Sequence, residues 1–318
     1  MEAIFDLRNV SYSYVGKIDA LKDVTLKINR GEQVSIIGSN GNGKSTLLAI
    51  LDGLVYPTSG EFYAFDNLIS EEAFDSISDN EFRSYFRTKV GFVFQNSDVQ
   101  LFSPTVYEEI AFGPMQMGLE PAEVRSRVEE VMQMLQIGKL RDRSPHTLSG
   151  GEKKKVCIAT VLVNNPDVLL LDEPSAGLDP RTQLWLIELL QELGGAGKTV
   201  ITATHDLEII DQISRRAIVM GEDHRVKTDG KAEAVLSDYE LLLSSNLVHE
   251  HTHLHGKLVH EHLHVHGRAH ERHEHASPEI EPHEHGVNEA HEHAAHEHGH
   301  IASHSHCHNG TRKDGKGS

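Results

Sequence analysis

A glycine-rich loop at residues 38–45, GSNGNGKS, restricts the possible folds of this chain more than any other segment. It follows the apolar run VSIIG and precedes a helical pattern, the context that the motif G-x-x-x-x-G-K-[ST] requires. Glycines let backbone amides turn around phosphate oxygens, Lys44 reaches the outer phosphates, and Ser45 can ligate Mg²⁺. The pattern predicts a nucleoside triphosphate site made by Gly38, Ser39, Asn40, Gly41, Asn42, Gly43, Lys44, Ser45 and Thr46.

Four short apolar runs predict the sheet that carries this loop. They lie at 34–38 (VSIIG), 90–94 (VGFVF), 168–172 (VLLLD) and 200–204 (VITAT), and none alternates with polar residues. Strands that are buried on both faces have this pattern. Helical patterns separate them, among them residues 121–135, where valines recur at helical spacing after a proline. The order predicts an α/β fold with a largely parallel core sheet.

Two carboxylates end the third of these runs. Asp172 and Glu173 follow VLLL directly, and the end of a central strand lies beside the phosphate loop in sheets of this kind. Asp172 is the candidate for holding Mg²⁺ through the water shell of the metal. Glu173 is then placed to orient or deprotonate the attacking water, as a catalytic base.

A second motif separates this chain from other proteins with such a loop. The sequence LSGGE, residues 148–152, lies 104 residues after Lys44 and 20 residues before Val168. It resembles the LSGGQ signature of the ATPase subunits of ATP-binding-cassette (ABC) transporters, with Glu in place of the usual Gln. The resemblance implies that a partner subunit's ATP contacts Leu148, Ser149, Gly150, Gly151 and Glu152.

The resemblance covers residues 1–245 and implies roles for further residues. Tyr14 matches the aromatic that stacks on adenine, and Gln95 matches the glutamine that senses Mg²⁺ beside the nucleotide. His205 matches the catalytic histidine that contacts the γ-phosphate, and residues 175–179 match the loop that communicates between two subunits. An antiparallel β subdomain and a helical subdomain at about 95–160 are implied as well.

The stretch around Gln95 resembles one group within that family. FQNSDVQLF at 94–102, continued by residues 105–106 and 111–114, is similar to the energy-coupling-factor ATPases. The resemblance implies paired ATPases, as a homodimer or as a heterodimer with a related chain. It also implies a transmembrane coupling subunit, a substrate-capturing membrane subunit and a peripheral position on the cytoplasmic face of the cell membrane.

Residues 246–318 form a tail of different composition. Of the 24 histidines, 21 lie in it, mostly in His-x-His repeats that alternate with Glu. Too few large apolar residues are present to stabilise a packed core, so the tail is expected to be disordered. Histidine-rich tracts bind Ni²⁺, Co²⁺ and similar ions. The candidate ligands are His249, His251, His253, His255, His260, His262, His264, His266, His306, Cys307 and His308.

Metal on this tail, joined to the ATPase, predicts import of Ni²⁺ or Co²⁺, with ATP and Mg²⁺ as the other small-molecule partners. Two other interpretations of the tail remain open, a pH-sensitive solvated spacer and a purification tag. A vitamin importer of the same group is the main alternative for the whole chain. A soluble metal-delivery NTPase fits less well, because it would need a guanine-specificity motif such as NKxD, which this sequence lacks. A DNA-repair or translation ATPase also fits less well, because it would need a coiled-coil insertion or a second cassette, and neither is found in the sequence.

Charge and hydropathy exclude other classes of protein. Asp and Glu number 48 against 30 Lys and Arg, a formal net charge of −18, which argues against a nucleic-acid partner. No run of about 18 apolar residues is present, so membrane association is expected to be peripheral. The two cysteines, 150 positions apart, suit a reducing compartment.

Overall fold

The predicted α/β fold is confirmed in the computed structural model, which describes residues 2–75, 80–255 and 258–265. From residue 249 onward the description concerns the backbone alone. The described strands are β1 (Ala3–Tyr14), β2 (Ile18–Asn29), β3 (Gln33–Ile37), β4 (Ser59–Ala64), β5 (Asn67–Leu68), β6 (Val90–Val93), β7 (Val168–Asp172), β8 (Thr199–Thr204), β9 (Arg216–Met220), β10 (Val226–Lys231), β11 (Val248–His255) and β12 (Leu258–Val265).

Helices pack around these strands. They are α1 (Lys44–Leu51), α2 (Glu71–Asp75), α3 (Asn80–Lys89), α4 (Ser97–Gln100), α5 (Val106–Gln116), α6 (Pro121–Met134), α7 (Gly150–Leu162), α8 (Pro180–Gly195), α9 (Leu207–Ile213), α10 (Ala232–Ser237) and α11 (Tyr239–Ser244). No helix in the described part of the chain combines the length and the apolarity that crossing a bilayer demands.

The central sheet has the strand order β10-β9-β3-β8-β7-β6, and all neighbouring strands except β10 and β9 are parallel. Every residue of β7 and β8 is buried, as the unbroken apolar runs predict. Ile37 pairs with Thr204, and Asp172 pairs with Ala203. The carboxyl ends of β3, β8 and β7 therefore meet at one edge of the sheet.

The two smaller subdomains also match the expectation. β1, β2, β4 and β5 form an antiparallel sheet, whose apolar face packs against β3 and α1 in one core cluster. Helices α4 to α7 form the helical subdomain, and the apolar stripe of α6 lies in its core. The Thr105 hydroxyl accepts a hydrogen bond from the Glu108 amide at the start of α5, and Pro121 opens α6.

The chain continues past residue 245 into an antiparallel hairpin, β11 and β12. Leu247 and Val248, at its start, are buried with residues of the central sheet. Strand pairing thus involves residues 248–255 and 258–265, and the disorder expected of the tail as a whole stays a prediction. Residues 266–318 lie outside the described part of the chain.

A buried carboxyl at the end of α1 gives a pH-dependent stability. Arg87 Nη1 donates to the Asp52 carbonyl oxygen at 2.9 Å and lies 3.5 Å from Asp52 Oδ2. Burial raises the pKa of Asp52 to about 7, from an ordinary value of 3.8. Between these values the folded chain keeps a proton that the unfolded chain has released, so stability falls as the pH rises.

We expect Asp52→Asn to remove this loss. The free energy of unfolding of the variant relative to wild type should rise by about 2–3 kcal/mol between pH 5 and pH 8, since one pKa unit is about 1.4 kcal/mol. Urea unfolding at the two pH values measures the change. A difference that is the same at both would show that the carboxyl of Asp52 titrates normally in the folded chain.

Candidate nucleotide site

In the loop at 38–46, the backbone conformation at residue 43 is one that only glycine fits. Gly43 has φ +94°, and a Cβ there would overlap the Ala20 carbonyl oxygen. A Cβ on Gly38 would lie 2.8 Å from the Met220 carbonyl oxygen. Asn42 is buried, and its Nδ2 donates to that same Met220 oxygen at 3.1 Å. The end of β9 thus fixes the loop from behind and leaves its open side to a ligand.

Lys44 lies inside this loop. It is 5% exposed, and its Nζ donates to the Gly38 carbonyl oxygen at 2.8 Å and to that of Ser39 at 3.2 Å. The Nζ also lies 3.6 Å from Glu173 Oε1. Burial lowers the pKa of Lys44, and the neighbouring carboxylates only partly offset this. An ammonium group binds anionic phosphate oxygens more strongly than neutral carbonyl oxygens, so Lys44 can exchange these carbonyl contacts for phosphate contacts.

Asp172 and Ser45 provide oxygen atoms suited to Mg²⁺. Burial raises the pKa of Asp172, and Ser45 lies close enough to the carboxyl to lower this pKa in part. Asp172 Oδ1 is buried with no hydrogen-bond partner among the described residues. A hydroxyl and a carboxylate beside phosphates are the usual protein contribution to a Mg²⁺ site, so these residues fit the metal. Ser45 itself is exposed at the start of α1, where it can ligate directly.

Glu173 is the centre of a second group of contacts. It is buried and has φ +42°, which turns its side chain back toward β8. The Thr204 hydroxyl donates to Glu173 Oε2 at 3.2 Å. His205 Nδ1 lies 2.9 Å from Oε1, although the angle is not that of a hydrogen bond. The structure therefore brings the two predicted catalytic residues together, within reach of Lys44.

Tyr14 and Gln95 are both exposed. Tyr14 is 43% exposed, its hydroxyl is 3.0 Å from Thr46 Oγ1, and its free face suits a stacked base. Gln95 follows β6 by two residues. Lys154 of α7 was not among the predicted site residues, yet it is buried, and its Nζ donates to the Phe94 and Gln95 carbonyl oxygens at 3.2 and 3.1 Å. The lysine-rich start of α7 was the available signal.

The LSGGE motif is separate from this edge, at the start of α7 in the helical subdomain. The Ser149 hydroxyl accepts from the Glu152 amide, and Glu152 Oε2 accepts from the Ser149 amide at 3.0 Å, a capping box. These bonds lower the pKa of Glu152, and Arg143 Nη1 lies 3.7 Å from its Oε1. Glu at this position thus holds the Ser149 side chain in place. Leu148 is buried, while Gly150 begins the helix and Gly151 packs near Thr182.

The loop at 175–179 links the catalytic edge to α8. Ser175 is buried, with its hydroxyl 3.5 Å from Asp206 Oδ2, one residue after His205. Asp179 accepts hydrogen bonds from the Arg181 and Thr182 amides at 3.1 Å and caps α8. One end of the loop therefore contacts Asp206, the residue after His205, and the other end caps α8.

A cleft of about 610 Å³ opens beside the phosphate loop. Its lining comprises Ser39, Asn40, Gly41, Asn42, His205, Glu222, His224, Asn246 and Leu247. Among the residues with described side chains, no three His, Cys, Asp or Glu groups are placed to share a metal ion. The predicted tail ligands His249, His251, His253, His255, His260, His262 and His264 have described backbone only, and His266, His306, Cys307 and His308 lie outside the described residues.

Known proteins with similar sequences include transporter ATPases. A profile of the ABC transporter family matches residues 21–176. A provisionally named ABC transporter ATP-binding protein of Methanosarcina acetivorans is 73% identical over 81% of this chain and 93% of its own length. The energy-coupling factor transporter ATP-binding protein EcfA of Methanothermobacter thermautotrophicus is 43% identical, over 77% of this chain and 76% of its own. The nickel import ATP-binding protein NikO of Rhodobacter capsulatus is 41% identical, over 78% of this chain and 97% of its own length.

Solved structures agree. The chain is similar to cbiO1 of Clostridium perfringens, part of the ABC transporter complex cbiONQ, with a TM-score of 0.66 and 37% identity over 78% of this chain and 96% of that one. It is also similar to the ATP-binding cassette MJ0796, which was solved as a dimer with ADP and phosphate. The TM-score is 0.63, and the sequences are 34% identical over 72% of this chain and 98% of that one. The protein therefore belongs to the ABC transporter family and is an ATP-binding, ATP-hydrolysing subunit of a transporter.

Proposed function

We propose that this chain is the ATPase of an energy-coupling-factor transporter that imports Ni²⁺ or Co²⁺. The observation that supports a metal cargo is the tail with 21 histidines, because imidazole binds these ions well and ATP hydrolysis does not require such a tract. The similarity to EcfA and to the nickel import protein NikO supports the transporter type and the cargo. The EcfA name specifies no cargo, so vitamin import remains the second candidate.

In this proposal the residues at the sheet edge divide the work of hydrolysis. Lys44 and the amides of residues 38–46 bind the phosphates, while Tyr14 stacks on adenine. Ser45, Asp172 and Gln95 hold Mg²⁺, which when bound neutralises charge on the phosphates. Glu173 accepts a proton from the attacking water, and Thr204 fixes the direction of its carboxylate. His205 contacts the γ-phosphate from beside Glu173.

Each nucleotide is completed by a second subunit. The signature residues 148–152 start α7 away from the phosphate loop of their own chain, so we assign them to the ATP of a partner. MJ0796, to which the chain is similar, was solved as a dimer with ADP and phosphate. The partner is a second copy or a related ATPase. Binding of ATP brings the two subunits together, and hydrolysis releases them.

The membrane subunits dock on the helical subdomain. Five large apolar side chains are exposed between residues 94 and 115, and Phe102 and Phe112 stack edge to face with centroids 5.0 Å apart. The set is Phe94, Val99, Phe102, Phe112 and Met115. An exposed apolar patch in one region indicates a binding surface. We assign it to a cytoplasmic helix of the transmembrane coupling subunit, which holds the ATPase at the inner face of the membrane and works with a substrate-capturing membrane subunit. The histidine tail binds the incoming metal on that side.

Uptake by the reconstituted transporter tests this function. The ATPase, its coupling subunit and the capture subunit are placed in vesicles, and uptake of radiolabelled Ni²⁺ and Co²⁺ is measured with ATP at the ATPase side. We expect ATP-dependent accumulation of one or both ions, and none with Glu173→Gln. Uptake of a vitamin without either metal would overturn the cargo assignment and leave the ATPase assignment standing.

A further inference from the structure

Lys154 is a buried lysine that has no part in the hydrolysis proposed above. It is the fifth residue of α7 and is 2% exposed. Its Nζ donates to two backbone carbonyl oxygens, that of Phe94 at 3.2 Å and that of Gln95 at 3.1 Å. Burying an ammonium group among neutral oxygens costs stability. A charge that is kept in the interior against this cost is typical of a functional position.

The two carbonyl oxygens lie at the edge of the sheet to which Mg²⁺ is assigned. β6 pairs in parallel with β7, and Val93 is opposite Leu171. Gln95 therefore leaves the sheet at the same edge as Asp172, the last residue of β7. Burial lowers the pKa of Lys154, and the Asp172 carboxylate is one of the groups that partly offset this. Lys154 is thus within electrostatic reach of one proposed metal ligand while its ammonium group binds the backbone of another.

The loop that follows β6 is also joined to α7 by a residue other than Lys154. Gln100 Nε2 donates to the Cys157 carbonyl oxygen at 3.0 Å, and Gln100 Oε1 accepts from the Phe94 amide at 3.1 Å. Gln95 is exposed, and Lys154 binds its carbonyl oxygen. Loss of the Lys154 ammonium group therefore frees the backbone at residue 95 and leaves the rest of the loop attached to α7.

We propose that Lys154 is a positioning residue for the Mg²⁺ site, which by its two hydrogen bonds fixes the backbone at residues 94 and 95 and so presents the Gln95 side chain to the metal. The proposal rests on the role given to Gln95 in the proposed function. A side chain on a fixed backbone loses less conformational entropy when it binds. An ammonium group suits this task, since it donates to several acceptors at once and its hydrogen bonds are stronger than those of a neutral donor.

The test measures binding of AMP-PNP, an ATP analogue that is not hydrolysed, to the full chain by calorimetry, once with excess MgCl₂ and once with EDTA. Met keeps the volume of the lysine stem and removes its donors. We expect Lys154→Met to raise the Kd in MgCl₂ by about 5- to 30-fold, which corresponds to the entropy of fixing the backbone of one residue. The Kd in EDTA should stay unchanged because the phosphate loop is unaltered, and this shows that the variant folds.

A double-mutant cycle tests whether Lys154 acts through Gln95. Gln95→Ala should raise the Kd in MgCl₂ at least as much as Lys154→Met, and Lys154→Met should add nothing to it, since residues that act through one contact are not additive. Lys153→Met is the matched control. It removes the same charge from the preceding position on α7, where the ammonium group lies 2.6 Å from Asp98 Oδ1, and both Kd values should equal those of wild type.

Three results would overturn the proposal. They are an unchanged or lower Kd in MgCl₂ for Lys154→Met, an equal rise in EDTA, and an equal rise in the Gln95→Ala background. Should Lys154→Met fail to fold, Lys154→Gln keeps a shorter donor and takes its place, with a smaller rise in the same Kd as the expected result. An unchanged Kd for Gln95→Ala would remove Gln95 from the Mg²⁺ site and this inference with it, whereas a rise for Gln95→Ala alone contradicts the inference and leaves that role standing.

Discussion

Replacing Glu173 by Gln should reduce ATP turnover by at least about 100-fold, because a positioned general base contributes about 10²–10⁴-fold to a rate. Gln has the same size and can still accept the hydrogen bond that Thr204 donates at 3.2 Å. The phosphate loop and Lys44 are unaltered, so ATP affinity should be retained. The variant should also accumulate as an ATP-bound dimer, since the step that separates the subunits is blocked. Phosphate release, nucleotide binding and size-exclusion chromatography measure the three expectations.

Glu188→Gln is the matched control, because Glu188 is an exposed carboxylate on α8 and loses the same charge. Its turnover should equal that of wild type. Turnover of Glu173→Gln within a factor of about ten of wild type would show that another group takes the proton from water.

Replacing Lys44 by Met should weaken ATP binding itself. Hydrogen bonds to charged groups contribute about 1.5–3 kcal/mol, so the Kd for ATP should rise by roughly 10- to 150-fold, and turnover should fall with it. Met fills the volume of the buried lysine stem. Because burial already lowers the pKa of Lys44, its charge is costly to keep in the nucleotide-free protein, and Met should leave the thermal midpoint close to that of wild type. Calorimetric titration with MgATP measures the Kd.

Lys231→Met, at an exposed position where β10 ends, controls for loss of one positive charge. Its Kd should not change. If Lys44→Met bound ATP as tightly as wild type and lost turnover alone, Lys44 would act on the transition state and not on the bound nucleotide.

The sequence predicted the catalytic edge because parallel buried strands leave their carboxyl ends on one side of a sheet. The motifs after β3, β7 and β8 therefore had to meet once the strands were recognised as parallel. The order of these strands did not follow from spacing along the chain. Residues 38 and 172 lie at the same edge of the sheet because β8 pairs in parallel with both β3 and β7.

Contacts that depend on the backbone conformation or on packing could not be predicted from the sequence. Glu173 has φ +42°, a conformation that no residue preference predicts for glutamate, and it is this that directs the carboxylate toward His205. Lys154 was missed because a lysine at the start of a helix is usually solvated. The boundary of the tail was set from composition at residue 245, whereas packing extends the core to Val248, because Leu247 and Val248 are large, apolar and buried.

The position of β3 in the sheet also governs how the chain can fold during synthesis. Its neighbours, β8 and β9, begin only at residues 199 and 216, so β3 has no partner until most of the chain has been made. At about 5–20 residues per second the delay is on the order of ten seconds. Throughout that time an apolar strand lies unpaired, and pairing between strands so distant in sequence is slow. The arrangement that brings three motifs together therefore makes the nascent chain dependent on protection from aggregation.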